Sequence, residues 1–313
     1  MKEPLVSIIT VNFNQTLLTC QLLSSVEKLE YSNIEVIVVD NGSLENPSKH
    51  IEEMYPSVNV IRSEVNYGFA GGNNLGLRAS KGDYLFFVNN DTELNKDCIG
   101  KLLEVFEKNL KVGVVSPKIN FYQSPEFQKQ SLIQYAGYTR LHPITARNHT
   151  IGEFEIDTGQ YNQAVQTFYA HGAAMMVKRE VIERVGEMPE LYFLYYEELD
   201  WCEQIRKAGF EIMVEPNAVI YHKESMSVGK ESPVKTYYLT RNRILFMRRN
   251  SFPLNFGLFI IYFALVIFPK TVLIFLLQRQ TSYLKSFFAA IYWHFKHIDN
   301  NNLPSLASKQ VAV

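Results

Sequence analysis

Hydrophobic residues in the first half of the chain fall into short unbroken runs, separated by segments with helical spacing. Leu5–Val11 is one such run, Ile34–Val39 (IEVIVV) a second, Val58–Arg62 a third and Tyr84–Val88 (YLFFV) a fourth. Runs of this length, rich in β-branched and aromatic residues and apolar at successive positions, predict strands buried on both faces. Thr16–Leu29 has the spacing of an amphipathic helix, and Asp40-Asn41-Gly42-Ser43 predicts a turn closing the second strand. Residues 68–80, GFAGGNNLGLRAS, predict a Gly-rich loop that opens a short helix. Asn95 or Asp97 is placed to cap a helix running to Lys108, and Val112–Ser116 predicts a fifth strand. Buried strands alternating with helices imply an α/β fold with a mainly parallel central sheet covered by helices on both faces.

From Lys118 to Gln163 the pattern loosens and turns rich in Gln, Tyr, Asn and His, which predicts irregular structure or short antiparallel strands. The small-residue apolar run HGAAMMVK then leads into a helix over Arg179–Val185. A second helix is predicted from about Glu198 to Ala208, stopped by Gly209. Two short strands follow, Glu211–Glu215 and Ala218–Tyr221, the latter running into His222.

The last quarter differs in kind. Phe256–Leu277 is almost wholly apolar and long enough to span a bilayer at 1.5 Å per residue, although Pro269 and Lys270 interrupt it. Arg241, Arg243, Arg248 and Arg249 lie just before it, as on a cytoplasmic flank, and Tyr283–Ile298 mixes aromatics with Lys and His like an interfacial helix. A spanning, re-entrant or surface-lying segment all fit, as does a buried hairpin or a contact between copies in a homo-oligomer. The expected organisation is a catalytic domain over 1–240, divided into halves at 117/118, and a membrane-associating helical tail over 241–313.

Charge sharpens this division. Net charge is −1, yet from residue 241 onward there are nine Lys/Arg against Asp299 alone. An acidic body argues against nucleic acid as partner, and a basic apolar tail suits an anionic membrane surface. Cys20, Cys98 and Cys202 are widely spaced and form no CxxC pair, which fits a reducing cytosol and no structural zinc.

In an open α/β sheet, ligands bind at the carboxyl ends of the strands. Asn12 ends the first strand, Asp40 the second, and Asn89-Asn90-Asp91 the fourth. Asp40 suits a ribose hydroxyl or a pyrimidine N–H, or else an Asx turn with Gly42. Asp91 could hold Mg²⁺ or Mn²⁺ together with phosphate oxygens, or be a solvated turn acid. The Gly-rich stretch is neither GxGxxG nor a P-loop; Gly71, Gly72 and Asn73 suit a diphosphate at a helix N-terminus or tight packing. In YFLYYEELDWCEQIRKAG, a helix starting near Glu197 puts Glu198 at the edge of an apolar face with Trp201, Cys202 and Ile205. Glu197 reads as a complement to the helix dipole. His222 is a metal ligand or a polar strand end.

Taken in order, VSIITVNFN, VVDNGS, NYGFAGGNNLGL, FVNNDTEL, GAAMMVKREVIERVG, FLYYEELDWCEQIRKAGF and AVIYHKES resemble the inverting family-2 glycosyltransferases of GT-A fold. NYGFAGGNN and NNDTEL are similar to the rhamnosyltransferase-like branch, which builds cell-surface polysaccharides on lipid-linked acceptors. The resemblance implies a nucleotide-sugar donor whose nucleoside meets Asp40, with Thr10, Asn12 and Asn90 nearby. It implies a divalent ion on Asp91 and His222, with Asn89 where strict DxD enzymes carry a second acid. Glu198 matches the catalytic base, where Asp is usual, and Asp200 is the reserve candidate or an acceptor contact. A donor of dTDP-rhamnose or, second, a UDP-hexose is implied, as is a glycan or lipid-linked acceptor at the cytoplasmic face of the membrane. Two rivals remain: a sugar-nucleotide nucleotidyltransferase, which would want a basic Gly-rich loop where VNFNQT stands, and a non-catalytic sugar-nucleotide-binding membrane scaffold.

Overall fold

The computed structural model describes residues 3–122, 131–223 and 232–297. Glu224 and Ser225 of AVIYHKES, part of the 118–163 segment and everything after 297 lie outside the described residues. The apolar runs become strands β1 (Val6–Asn12), β2 (Ile34–Asn41), β3 (Val58–Ser63) and β4 (Tyr84–Val88). They are followed by β5 (Thr92–Leu94), β6 (Val112–Phe121), β7 (Ile133–Tyr135), β8 (Val165–Gln166), β9 (Ala174–Lys178) and β10 (Glu211–His222). The helices of the body are α1 (Thr16–Val26), α2 (Ser48–Met54), α3 (Gly68–Ala79), α4 (Cys98–Lys108), α5 (Arg179–Val185) and α6 (Glu197–Lys207). After it come α7 (Pro233–Asn250), α8 (Pro253–Tyr262), a π turn (Phe263–Ile267), α9 (Phe268–Leu277) and α10 (Thr281–Lys296).

Among the described residues one sheet collects the strands in the order β3-β2-β1-β4-β9-β6-β10-β5. β1, β2, β3 and β4 pair in parallel, β9 is antiparallel between β4 and β6, and β10 returns parallel to β6. The chain leaves β1 toward β2 and β3 on one side and resumes at β4 on the other. A crevice therefore opens at the carboxyl ends of β1 and β4, where the strand order reverses. Alternate side chains feed two cores. Ile8 and Phe86 pack with Leu22, Leu102 and Phe106 on one face, while Ile9 and Phe87 pack with Leu77, Trp201 and Leu245 on the other.

The structure departs from expectation at several places, each for a physical reason. The Gly-rich stretch is helical throughout, because its glycines let α3 lie flat on the sheet. The two short strands after Gly209 are one, β10, with a bulge between Glu215 and Val219 where Pro216 lacks an amide hydrogen. Helix α2, whose apolar anchor is the buried Ile51, carries too little periodicity to be predicted. No structural break falls at 240/241, since α7 runs through it and buries Arg241 and Asn242 at 1% and 0% exposure. The arginines expected to face a membrane are engaged inside the protein: Arg249 pairs with Asp200, Arg243 donates to the Thr145 carbonyl and Arg248 to that of His297. Pro253–Leu277 is continuous as a 25-residue helix and only 11% of its most apolar window is buried. The π turn just before Pro269 absorbs the missing hydrogen bond of the proline.

Candidate functional site

At the carboxyl edge of the sheet, a chain of hydrogen bonds crosses four strand ends. Asn90 Nδ2 donates to Thr19 Oγ1 at 3.1 Å, and Thr19 Oγ1 donates to Asn12 Oδ1 at 2.9 Å. Asn12 Nδ2 in turn donates to Asp40 Oδ1 at 3.0 Å, and Arg62 donates to Asp40 Oδ2 at 2.6 Å. The parallel register causes this, since it sets Asn12 opposite Asp40 and Asp40 opposite Arg62. One correction follows. Asp40 is 0% exposed and both its oxygens are engaged, so it presents no free surface to a nucleoside. Arg62, with its side chain 23% exposed, and the half-buried Asn90 reach the surface from this network. Thr10 is likewise fully buried, and its hydroxyl has no partner among the described residues.

Asp91 follows β4 and leads into β5, which runs antiparallel to the end of β10 with Thr92 opposite His222. This pairing joins positions far apart in sequence and sets His222 Nε2 3.1 Å from Asp91 Oδ1. Both residues are 6% exposed. The contact has ion-pair distance but not the direction of a hydrogen bond, and Asp91 Oδ1 is buried without a partner. On its other side, His222 Nδ1 lies 2.9 Å from Gln134 Oε1. An amide oxygen only accepts, so Nδ1 carries the hydrogen and Nε2 is the nitrogen turned toward Asp91. Nε2 and Asp91 Oδ1 thus face each other at 3.1 Å with no hydrogen bond between them. The pair therefore fits a divalent ion held by one carboxylate and one imidazole. Among the described residues, no group of three or more His, Cys, Asp or Glu gathers as a metal site, which leaves coordination positions of such an ion for phosphate oxygens or water.

Sequence reasoning missed Gln134 and also His171, whose ring lies 6.2 Å from that of His222 and stacks on Tyr138. His171 Nδ1 accepts from the Ala173 amide at 3.0 Å, and burial lowers its pKa to about 3, so the ring stays neutral. A polar ring directly before the small-residue run of β9 was the available signal for His171. Gln134 carried none.

The Gly-rich segment does not offer a phosphate cradle, which corrects the expectation for Gly71, Gly72 and Asn73. A Cβ on Gly71 would lie 2.6 Å from Tyr67 Cβ, one on Gly72 2.9 Å from Val11 Cγ1, and one on Gly76 2.5 Å from Ile9 Cγ2. Gly72 and Gly76 allow close packing of α3 on β1 and β2, and Gly71 gives room to Tyr67 at the start of the helix. Asn73 Nδ2 donates to Phe69 within its own helix. The first amides of α3 are also taken: Gly68 N by Asn66 Oδ1 at 2.8 Å and Phe69 N by the Phe193 carbonyl at 2.7 Å.

That carbonyl belongs to the loop that carries the candidate base. Phe193, Tyr195 and Tyr196 have φ of 66°, 68° and 77°, a left-handed conformation that costs bulky residues about 1–3 kcal/mol each. Asn242 of α7 holds the loop, its Nδ2 donating to the carbonyls of Tyr192 (3.0 Å), Leu194 (2.7 Å) and Tyr195 (2.7 Å). Arg241 adds bonds to the carbonyls of Leu191 (2.9 Å) and Tyr192 (2.6 Å). Helix α6 starts directly after this clamp. Glu198, in its first turn, sets its carboxyl against Gly172, where a Cβ would lie 3.7 Å from Glu198 Cδ. Burial pushes the Glu198 pKa up to about 7, with the first-turn amides pulling the other way. Glu197 is not the solvated dipole partner that its position suggested. It is 2% exposed with Oε2 unpartnered, and burial, then the charge of Glu198, raises its pKa well above the carboxylate range. Asp200 points elsewhere, as residues two apart on a helix must. It is 0% exposed, accepts from Gln204 at 2.8 Å, and ties α6 to the end of α7 through Arg249 at 3.3 Å and Asn250. This removes it as a reserve base or acceptor contact.

The chain resembles known proteins over most of its length. The sequence profile described as glycosyl transferase family 2 matches residues 7–186, more than half of the chain. The low-salt glycan biosynthesis hexosyltransferase of Haloferax volcanii is 27% identical over 218 residues, which span 67% of this chain and 66% of that protein. The dTDP-rhamnosyl transferase of Shigella flexneri is 25% identical over 297 residues, covering 88% and 90% of the two chains. The mannosyltransferase of Pyrobaculum calidifontis, solved with GDP-Man and Mn²⁺, superposes over 95% of this chain and 76% of its own with TM-score 0.56 at 17% identity. That likeness shows the GT-A fold.

Proposed function

This chain belongs to glycosyltransferase family 2, and from that premise we propose that it moves a sugar from a nucleotide-sugar donor to an acceptor hydroxyl, inverting the anomeric centre. The observation that carries the reading is the buried Asp91–His222 pair beyond the carboxyl end of β4, a carboxylate oxygen and an imidazole nitrogen 3.1 Å apart with no hydrogen bond between them. Asp91 and His222 are the residues that would hold Mg²⁺ or Mn²⁺. When bound, such an ion neutralises charge that builds on a departing diphosphate. Gln134 keeps His222 in the tautomer that can ligate.

The chain's own residues account for the rest of the chemistry. Glu198 takes the proton of the acceptor hydroxyl while that oxygen attacks the anomeric carbon. Its pKa of about 7 suits a base that must be ionised near neutrality yet strong enough to accept the proton. Glu197 beside it retains its own proton, which spares Glu198 a second negative charge. The nucleoside diphosphate leaves from the opposite face of the sugar, so no covalent intermediate forms. Asn12, Asn90 and Arg62 line up the strand ends that border the nucleoside side of the crevice, with Asp40 as their buried anchor.

For the donor, dTDP-rhamnose is the first choice, supported by the Shigella relative, and a UDP-hexose the second. The acceptor is a lipid-linked or polysaccharide glycan of the cell surface, met at the cytoplasmic face of the membrane. The exposed apolar helix Pro253–Leu277 supports that location. The catalytic body then extends through α7, and the membrane-associating part begins at Pro253.

A thermal-shift screen of nucleotide sugars with and without Mn²⁺, paired with a Glu198→Gln variant, tests the proposal. A donor at 100 times its Kd should stabilise the protein by about 2.7 kcal/mol. Glu198→Gln should still bind that donor but lose on the order of 10²–10⁴ in turnover. Turnover that survives this change ends the assignment of the base, and a screen in which no nucleotide sugar binds ends the functional reading.

A further inference from the structure

A second cavity, of about 1090 Å³, lies apart from the Asp91–His222 pair, between the 140–149 loop, α7 and the apolar helices α8 and α9. Its wall carries Arg140, Arg147, Arg243 and Lys270 and no carboxylate. Arg140, Arg147 and Lys270 have no ion-pair partner among the described residues, and Arg243 has its Nε buried without a hydrogen-bond partner. In a chain of net charge −1, four uncompensated cations on one concave surface mark a place for an anion of more than unit charge. The loop that presents Arg147 is built rather than slack. Ala146 N donates to the His142 carbonyl at 2.9 Å, His142 N to the Arg147 carbonyl at 2.8 Å, and His142 Nδ1 accepts from the amides of Ile144 and Thr145.

The opposite wall is apolar, with Phe263, Ile267 and Phe275 among its residues. The exposed side of the π turn and α9 adds Leu265, Leu273 and Leu277, which stand 73%, 57% and 75% exposed. At the inner end is Tyr196, the residue before α6 and two before Glu198. One ligand would thus meet cations and hydrocarbon together, beside the residue that leads into the helix of the candidate base. A nucleotide sugar lacks the hydrocarbon, and a neutral glycan lacks the charge.

We propose that this cavity binds the head of an isoprenoid-diphosphate acceptor, its diphosphate on Arg140, Arg147, Arg243 and Lys270 and its chain along α8 and α9. The first sugar of such an acceptor then extends past Tyr196 toward Glu198. The assignment rests on the reading of this chain as a glycosyltransferase with a lipid-linked acceptor. It adds the side chains that recognise the lipid, which are separate from those that hold the donor. Guanidinium groups suit the task because they meet phosphate oxygens through paired N–H donors.

Farnesyl diphosphate is the probe, titrated by calorimetry into the full chain in neutral detergent micelles with EDTA present, which keeps the diphosphate off any cation site. The variant Arg147→Ala/Lys270→Ala alters two exposed side chains, and its unfolding temperature should match that of the parent. We expect the parent to bind, and the variant, farnesol and inorganic pyrophosphate each to give affinities at least about tenfold weaker, as two lost charge-assisted contacts would produce. Equal binding by the variant overturns the proposal. So does equal binding of pyrophosphate alone, which would make this a plain phosphate site. Displacement of farnesyl diphosphate by phosphatidylglycerol at equal concentration also overturns it, in favour of a bulk membrane headgroup. Mn²⁺-dependent hydrolysis of the donor by the parent chain separates the two levels. Hydrolysis without farnesyl diphosphate binding removes the cavity assignment alone, and no hydrolysis with any donor removes the functional reading beneath it.

Discussion

Replacing Asn242 by Ala should disable the enzyme from a position that touches no substrate. The side chain donates to three carbonyls of the loop before α6, and one of these, Tyr192 O, keeps a bond from Arg241. The carbonyls of Leu194 and Tyr195 lose their donor. At about 1–3 kcal/mol for each part-buried acceptor left alone, the native loop is destabilised by about 2–6 kcal/mol. The loop has a way to relax, because Phe193, Tyr195 and Tyr196 are all held in left-handed conformations that relaxation would relieve. Relaxation moves the start of α6 and with it Glu198. Displacement of a reacting group by about 1 Å can cost on the order of 10² in rate, so kcat should fall by about that factor while donor Kd changes little. Asn242→Asp, equal in size but unable to donate, should behave like Asn242→Ala. Urea unfolding gives the stability change, and steady-state kinetics with donor titration separates kcat from binding. A folded Asn242→Ala protein with kcat within about twofold of the parent would refute the argument.

Three further outcomes follow from the geometry. The rate at limiting substrate should rise with pH up to about 7 and then level, because Glu198 acts only when ionised and burial raises its pKa; a flat profile through that range contradicts its role. Gln134→Leu should weaken Mn²⁺ binding by about 10–100-fold through loss of the His222 orientation, with unchanged thermal stability of the metal-free protein. Gly76→Ala should cost about 1–3 kcal/mol because its Cβ would stand 2.5 Å from Ile9 Cγ2, whereas Gly100→Ala, in α4 with open space around it, should stabilise by about 0.5–1 kcal/mol. Denaturant melts of both variants compare the two, and equal effects would remove the packing explanation for the glycines of α3.

How much of this the sequence disclosed depended on whether the signal was local. YLFFV and AMMVK announced buried strands because every residue is apolar, and β4 and β9 form there and pair with each other. Asp91 and His222 stood at strand ends, where ligands bind in such sheets, and the β5–β10 pairing brings them together. The failures share a cause, which is dependence on partners remote in the chain. Helix propensity puts a loop at GFAGGNNLG, and only the nearness of Val11 and Ile9 shows why glycine is needed in a helix. Asp200 resembles a second acid of a catalytic motif until Arg249 and Asn250, about 50 residues later, take its oxygens. Asp40 looked free at a turn, yet Arg62 lies opposite it on the next strand. The basic cluster at 241–249 looked like a membrane flank because charge alone is legible in sequence; burial beneath the aromatic loop is not.

The central claim is that Asp91 and His222 hold a cation whose coordination the donor's diphosphate completes. Mn²⁺ binding followed by electron paramagnetic resonance, with and without nucleoside diphosphate, tests it most directly. The ion alone should bind weakly, binding should be at least about tenfold tighter with the nucleotide, and Asp91→Ala should lose that gain. Mn²⁺ affinity that is the same with and without nucleotide, or a gain that survives Asp91→Ala, would contradict it.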